Sequence, residues 1–321
     1  MAVSRGQMST EGAPRKLYIG VASSYIVAVN PTKAELEQLT GRTFDKEPEY
    51  LSSIEVDGNQ VPQVRLDFVC KPDPEKYLDS QNHPIDTLIH VSLFLRKQYK
   101  YGRKTGKYQI IDNYGRTAWA TKEDIEKKVI PVYQTKDGGT MQANISQQYI
   151  PAYDGLEELT KLIRAYLNIS TVEKWENGKV VGLIDNPKEA EVMPEHIEDY
   201  FKGDFTELRE IFGYQPNNKV KIAFGVRTTD DNKQYQAAYT RMFLKNNIND
   251  YSKLDKEIAS TKANGGLTTT EFECGEFHEY AVIATNFEQP VGTAMPGQMP
   301  IMPENEGMFN GGQTPWGQPQ F

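Results

Sequence analysis

The sequence predicts an α+β fold, built on a small antiparallel β-barrel with helices inserted between its strands. Three observations lead there. Runs rich in Val, Ile and aromatic residues recur with a period of two. Two pairs of such runs fold back through strong turn signals, Asp57–Gly58 and Thr229–Lys233. Segments with helical spacing fall between the strands, and no internal repeat organises them. At 321 residues the chain is long enough to bury a sizeable core.

Lys16–Val29 is rich in β-branched and aromatic residues and reads as a strand, with Ser23–Ser24 as the point where it could break. Thr32–Leu39 reads as a short helix. Thr32 with Glu35 makes a capping-box pattern, and Gly41 can end the helix. Ser53–Val56 and Val61–Cys70 flank Asp57–Gly58 as a hairpin. Val64, Leu66 and Phe68 alternate there with Arg65 and Asp67, which predicts one wet face. In Ile89–Tyr99 one face collects Ile89, Val91, Leu93 and Leu95, and the other His90, Phe94, Arg96 and Gln98. Tyr101–Gly106 is a turn, and Lys107–Asp112 returns as the partner strand.

Thr121–Lys128 is a short helix that Thr121 and Asp124 can cap. Pro131–Tyr149, with Gly138–Gly139 at its centre, reads as loop-rich. Gly155–Leu167 carries Leu156, Leu159, Leu162, Ile163 and Tyr166 at helical spacing. Pro194–Tyr200 and Thr206–Phe212 are further short helices, so helical insertion is expected around 150–215. Val220–Arg227 and Gln234–Leu244 form the second hairpin. Asp250–Ala263 is a helix stopped by Gly265–Gly266, and Glu271–Ala284 is a last strand region.

Both ends lack core-forming pattern. Met1–Pro14 has no apolar stretch of signal-peptide type and is expected to be a disordered leader. Half of Glu288–Phe321 is Gly, Pro or Gln, so it cannot offset its ordering entropy by burial and should be a disordered tail. One domain is therefore expected over 15–287. No apolar run reaches membrane-spanning length. Cys70 and Cys274 lie far apart and fit reduced thiols of an intracellular protein better than a disulfide.

Catalytic patterns are poor. There is no phosphate-binding glycine loop. His83, His90, His196 and His278 show no zinc-ligand spacing with the cysteines, so neither metal nor cofactor is expected. Asp73, Glu75 and Lys76 resemble a nuclease carboxylate–lysine motif only superficially, because they crowd into one Pro-rich loop. Glu123, Asp124 and Glu126 read as the polar face of a short helix.

Charge is more informative. The formal net charge is −8, but Ala263–Phe321 holds seven Glu and no Lys or Arg. That leaves 36 basic against 44 − 7 = 37 acidic residues upstream, so the excess belongs to the C-terminal end. Ile89–Trp119 has the opposite character. Arg96, Lys97, Lys100, Arg103, Lys104, Lys107 and Arg116 face one acid, Asp112. Phe94, Tyr99, Tyr101, Tyr108, Tyr114 and Trp119 are interleaved with them. Cations that follow phosphates and rings that stack on bases are the chemistry of single-stranded nucleic-acid binding. The competing reading is an exposed strand face with solubilising charges and core tyrosines. Trp119 in particular fits a core equally well.

The second hairpin repeats the pattern. Lys221 and Arg227 bracket Ala223 and Gly225 on one face, where small residues would let a base or phosphate approach the sheet. Tyr235, Tyr239, Arg241 and Phe243 share a face that could be core or groove. Near the C-terminus, Trp316 and Phe321 stand isolated in a polar tail. They suit a docking peptide whose rings enter a partner's pocket.

Five segments together, KLYIGVASSYIVAVNPTKAELEQLTG, YGRTAWATKED, LTKLIRAYLNI, DYFKGDFTELREI and PNNKVKIAFGVRTTDDNKQYQAAYTRMFLKN, resemble the single-stranded DNA-binding proteins of crAss-like bacteriophages. The resemblance covers roughly Lys16–Phe287, and the last segment is its most specific part. It implies an OB-fold-like barrel that coats single-stranded DNA in phage replication and recombination, without enzymatic activity, in the cytoplasm of a bacterial host. The linker and aromatic tip are also similar to the tails of bacterial single-stranded DNA-binding proteins, which implies docking to replication proteins. Those tails usually end in a dense acidic cluster before Pro–Phe. This chain has only Glu304 and Glu306, with Gln320 before Phe321.

The residues expected to meet DNA are Phe94, Arg96, Lys97, Tyr99, Tyr101, Arg103, Lys104, Lys107, Tyr108, Lys221, Arg227, Tyr235 and Arg241. A virion structural or assembly protein and a DNA-processing nuclease are the alternative readings.

Overall fold

The computed structural model describes residues 4–5, 16–169, 171–176, 178–185, 194–213, 217–230, 232–267 and 270–280. In chain order the first elements are β1 (Ser4–Arg5), β2 (Leu17–Val29), α1 (Lys33–Thr40), β3 (Leu51–Val56) and β4 (Asn59–Pro72). Next come β5 (Thr87–Tyr99), β6 (Tyr101–Gly102), β7 (Lys107–Asp112), β8 (Thr117–Ala120) and α2 (Lys122–Lys127). The middle of the chain gives β9 (Val132–Gln134), β10 (Thr140–Gln142), β11 (Tyr149–Pro151), β12 (Tyr153–Asp154) and α3 (Leu156–Tyr166). They are followed by β13 (Thr171–Glu176), β14 (Lys179–Asp185), α4 (Ile197–Tyr200) and α5 (Thr206–Gly213). The last are β15 (Lys219–Thr228), β16 (Gln234–Ala238), β17 (Leu244–Lys245), α6 (Ser252–Ala263), β18 (Thr270–Phe272) and β19 (His278–Tyr280). The class is α+β, with mostly antiparallel pairing.

The chain divides into two compact units. One is Met1–Pro48 with Phe68–Val91 and Lys221–Phe321. The other is Glu49–Asp67 with Ser92–Val220.

In the first unit the strand order is β1-β5-β4-β2-β15-β16, with β1 parallel to β5. β2 runs unbroken through Ser23 and Ser24, which are both buried. Its irregularity is a bulge between Ile26 and Ala28 opposite β4. The α1 cap is the one expected. Thr32 Oγ1 accepts from Glu35 N, Glu35 Oε2 accepts from Thr32 N at 2.7 Å, and Gly41 closes the helix in the left-handed region. Leu36 then packs with Phe44, Val69 and Leu88.

β15 departs from expectation, because Val220 through Val226 are all buried and neither face is wet there. Ala223 joins Val21, Tyr239, Leu254, Ile258 and Phe272 in one core cluster. Phe224 meets Phe277 edge-on at 5.7 Å. The return strand is shorter than expected and stops at Ala238. Tyr239 is buried and its hydroxyl meets Thr261 Oγ1 at 2.9 Å. The last strand region splits into β18 and β19, and the rest of Glu271–Ala284 beyond Tyr280 lies outside the described residues.

In the second unit the β3–β4 turn has the expected chemistry, with Asp57 at φ 50 and Gly58 at φ 79. The predicted wet face of β4 is corrected at Asp67, which is 4% exposed and accepts from Ser92 Oγ at 3.1 Å. β5 alternates as its sequence demands: Leu93 and Leu95 are buried, Phe94 and Arg96 half-buried. β7 is the centre of a four-stranded sheet, paired with β6 and β11 and with β8. It returns onto β6 rather than onto β5.

The expected loop over Pro131–Tyr149 contains the β9–β10 hairpin, with Met141 opposite Tyr133. Its turn falls at Gly138, whose φ is 81. α3 buries Leu156, Leu159, Leu162, Ile163 and Tyr166 along one stripe. The Tyr166 hydroxyl donates to Phe212 O at 2.7 Å. The span expected to be helical also holds the β13–β14 hairpin.

Gly20 carries a strict requirement. Its φ is +113, and a Cβ there would lie 2.4 Å from Glu276 O. Gly20→Ala should therefore destabilise the protein by about 2 kcal/mol or more in urea denaturation. A loss below about 0.5 kcal/mol would contradict this close approach.

Candidate nucleic-acid interface

The side chains of interest in the second unit sit on β5, the turn after it and β7. Alternation carries Lys97 and Tyr99 on the same side of β5 as Leu93 and Leu95, but past the end of the core. Both are exposed, Tyr99 at 46%. β12 lies alongside, with Tyr153 opposite Tyr99 in register. The two rings stack with centroids 5.0 Å apart and planes at 26°. Phe201, just after α4, meets Tyr153 edge-on at 5.7 Å. In the turn, Tyr101 is 44% exposed and lies against Tyr108, with centroids 4.9 Å apart. Trp119 sits beside Gly102, where a Cβ would come within 3.0 Å of its ring.

The cations of this stretch are largely neutralised from elsewhere in the chain. Arg96 pairs with Asp154 at 2.8 Å, Lys97 with Glu198 at 2.8 Å, and Lys100 with Glu157 at 3.3 Å. Arg103 pairs with Asp57 at 2.6 Å and Arg116 with Asp112 at 2.7 Å. These pairs fall into two groups. Arg96–Asp154, Lys100–Glu157 and Arg116–Asp112 are largely buried and act as structure. Lys97–Glu198 and Arg103–Asp57 are open to water on both sides, where an ion pair contributes only about 0–1 kcal/mol. A phosphate can replace such a carboxylate at little cost. Lys104 is exposed, and Lys107 Nζ lies 5.0 Å above the Tyr133 ring.

The buried group is specific in geometry. Asp112 Oδ1 accepts from Tyr114 N and Arg116 N, at 3.0 and 2.9 Å. Its Oδ2 accepts from Arg116 Nε and Ser146 N, both at 2.8 Å. Arg116 also lies over the Tyr114 ring at 4.9 Å, so both are built into this turn. Glu157 is shared by Lys100, Lys161 and Gln109 Nε2. Burial opposes its ionisation, but the Lys161 and Lys100 ammoniums outweigh that and hold its carboxyl down at about 2. Phe94 is half-buried on the opposite side of β5 from Tyr99 and is not part of the exposed ring set.

The second constellation lies in the first unit and is corrected in part. Lys221 is 2% exposed. It donates to Ile248 O and, at 2.8 Å, to Asn249 Oδ1, and it lies 5.4 Å from the Tyr251 ring centroid. Burial, with Lys76 nearby, lowers its pKa. A cation so enclosed binds its own loop and cannot face DNA. The small residues beside it are occupied as well. Ala223 is core, and a Cβ on Gly225 would lie 2.1 Å from Glu271 O and 2.5 Å from the Phe272 ring. Arg227 and Tyr235 are directly paired across β15 and β16 and half-buried, and Arg241 is half-buried beyond the strand. Trp316 and Phe321 lie outside the described residues.

Sequence reasoning missed Tyr153, Phe201 and Tyr133 as ring partners, and Asp57 and Glu198 as counter-ions. The pairing of Tyr99 with Tyr153 depends on β12, a two-residue strand with no local signal of its own. Among the described residues no group of three or more His, Cys, Asp or Glu could hold a metal ion. Both cysteines are free thiols, and burial with the Asp255 carboxylate pushes Cys274 up to about 11. No helix among the described residues is long and apolar enough to cross a membrane.

No family model matches the chain, and no solved structure matches it. It is 28% identical over 149 residues to the uncharacterized protein Rv2308 of Mycobacterium tuberculosis. That stretch is 45% of this chain and 62% of the relative, so the chain spans less than two thirds of that protein's length.

The Glu157 cluster sets an acid limit on the second unit. A carboxyl held from 4.5 down to about 2 contributes stability that is fully present above its unfolded value and lost as pH falls toward 2. Its share is at most about 3 kcal/mol. Glu157→Gln should lower stability at neutral pH and flatten its dependence between these values, as read by urea midpoints across pH. An unchanged acid profile would mean that Glu157 ionises as it does in the unfolded chain.

Proposed function

We propose that this protein is a non-enzymatic binder of single-stranded DNA, largely indifferent to sequence. One observation carries the proposal. The outer end of β5 and the turn after it hold solvent-facing rings, Tyr99 and Tyr101, beside the cations Lys97 and Arg103, whose counter-ions are exposed carboxylates. Rings supply sequence-tolerant stacking, and the cations take phosphates by exchange. Lys104 and Lys107 extend the phosphate track, and Tyr108 supports Tyr101.

The phage resemblance extends this reading. The antiparallel sheet is then an OB-fold-like barrel, and the protein coats single strands in phage replication and recombination in the host cytoplasm. Trp316 and Phe321 would dock a replication protein. A virion structural or assembly protein is the second reading. It is favoured by the local neutralisation of five of the seven cations, which also suits a merely solubilised strand face.

Titration of oligo-dT followed by intrinsic Tyr and Trp fluorescence, at several salt concentrations, separates the two. Four exchangeable cations at about 0.7 each predict a log–log salt slope of about −3. Duplex DNA should bind much more weakly, because its bases are not open to stacking. A flat salt response or a preference for duplex would sink the proposal, and metal-dependent cleavage of the oligonucleotide would favour a nuclease.

The roles divide cleanly. Tyr101→Ala should cost about 1–3 kcal/mol of binding and leave the slope unchanged. Arg103→Ala with Lys104→Ala should make the slope shallower by about 1.4. If these folded variants bind as well as the parent, the contact surface lies instead with Arg227, Tyr235 and Arg241.

A further inference from the structure

Five side chains in the second unit form one cluster that neither the basic run nor the ring pattern explains alone. Lys97 and Tyr99 are two residues apart on one side of β5, about 7 Å along the strand. That is the order of separation between a stacked base and its own phosphate. Tyr99 is 46% exposed and stacks on Tyr153, which Phe201 supports edge-on. The Lys97 ammonium lies 5.8 Å above the Phe201 ring and 2.8 Å from Glu198 Oε2. The other oxygen of the same carboxylate accepts from the Tyr153 hydroxyl.

Glu198 thus does two things at once. It fixes the ring beneath the exposed platform, and it occupies the place beside Lys97 that an anion would take. The Lys97 and Tyr153 hydrogen bonds hold its carboxyl below the usual range, so it is an anion at neutral pH. Both members of the Lys97–Glu198 pair are about half exposed, which keeps the exchange for a second anion inexpensive.

We infer that Lys97, Tyr99, Tyr153 and Phe201 form a one-nucleotide subsite, whose phosphate position is held by the Glu198 carboxylate until a strand displaces it. The inference rests on the single-stranded DNA reading and names within it one ligand unit: a base on Tyr99 and its phosphate on Lys97. Glu198 is a positioning residue for the ring pair and a built-in competitor for the phosphate.

The test uses the full chain and fluorescein-labelled oligo-dT, with anisotropy read across a salt series. Glu198→Gln keeps an acceptor for the Tyr153 hydroxyl but removes the competing charge. It should tighten binding about two- to fivefold at low salt and leave the slope near that of the parent, in which Lys97 already meets one phosphate. Lys97→Ala combined with Glu198→Gln should abolish the gain and make the slope shallower by about 0.7. Tyr153→Phe leaves the carboxylate on Lys97 and frees the ring, so it should weaken binding with no change in slope.

Thermal midpoints of all variants should match the parent, since the altered groups are exposed or lose one hydroxyl. If the parent binds with its salt dependence but Glu198→Gln gains nothing, or gains equally without Lys97, the subsite is overturned and the DNA reading stands. If the parent does not bind single strands at all, both fall.

Discussion

A run of cations cannot lie half-buried on a β-sheet without counter-charge, and this constraint organises the second unit. Removing a charge from water costs several kcal/mol unless a partner is close and well placed. The basic stretch over β5–β8 contains one acid of its own. The rest arrive from the β3–β4 turn (Asp57), β12 (Asp154), α3 (Glu157) and α4 (Glu198). The buried ones, Asp154 and Glu157, fix distant segments against the sheet. The same electrostatics therefore has two outcomes. Where water is excluded, as at Arg96–Asp154 and Lys100–Glu157, the pair is structure. Where water reaches both partners, as at Lys97–Glu198 and Arg103–Asp57, the pair is weak and open to exchange.

How much of this the sequence discloses follows from the range of each interaction. The α1 and α2 capping boxes and the Asp57–Gly58 turn are set by residues within four positions of each other, and they were legible. So was the buried row of β5, since strand alternation is local. The identity of the counter-ions was not. Asp57 and Arg103 are 46 positions apart, and nothing near either one points to the other. Lys221 misled for a related reason. A Lys alternating with apolar residues reads as a wet position, but α6 covers that side of β15 with Leu254 and Ile258, and the loop carbonyl of Ile248 takes the ammonium. Tertiary cover overrode a local pattern.

The rings depend on the core behind them. Leu93 and Leu95 anchor β5 from the same side that Tyr99 extends, so Tyr99 stands at the rigid end of a buried strand rather than on a free loop. Its stacking on Tyr153 further limits the ring's motion. A platform ordered before contact loses less entropy when a base lands on it, and a site mounted on strands holds its geometry better than one on loops. Tyr101 is placed differently, on a two-residue strand at the head of a turn, and takes its order from Tyr108. Tyr99 is therefore the better anchored of the two exposed rings.

A formal charge of −8 is no obstacle to binding a polyanion at such a place. At physiological salt, charges separated by more than about 8 Å are largely screened. What a phosphate meets at β5 is Lys97 and whatever shares its immediate surroundings, not the sum over the chain. Glu198 lies within that distance, so salt does not screen it from Lys97, and the same holds for Asp57 at Arg103. The C-terminal stretch, which has seven Glu and no Lys or Arg, counts toward the total, but a phosphate at Lys97 senses it only if it comes within the same short range. Local pairing, not net charge, decides whether these cations are available, and that places control of the surface in its neighbouring carboxylates.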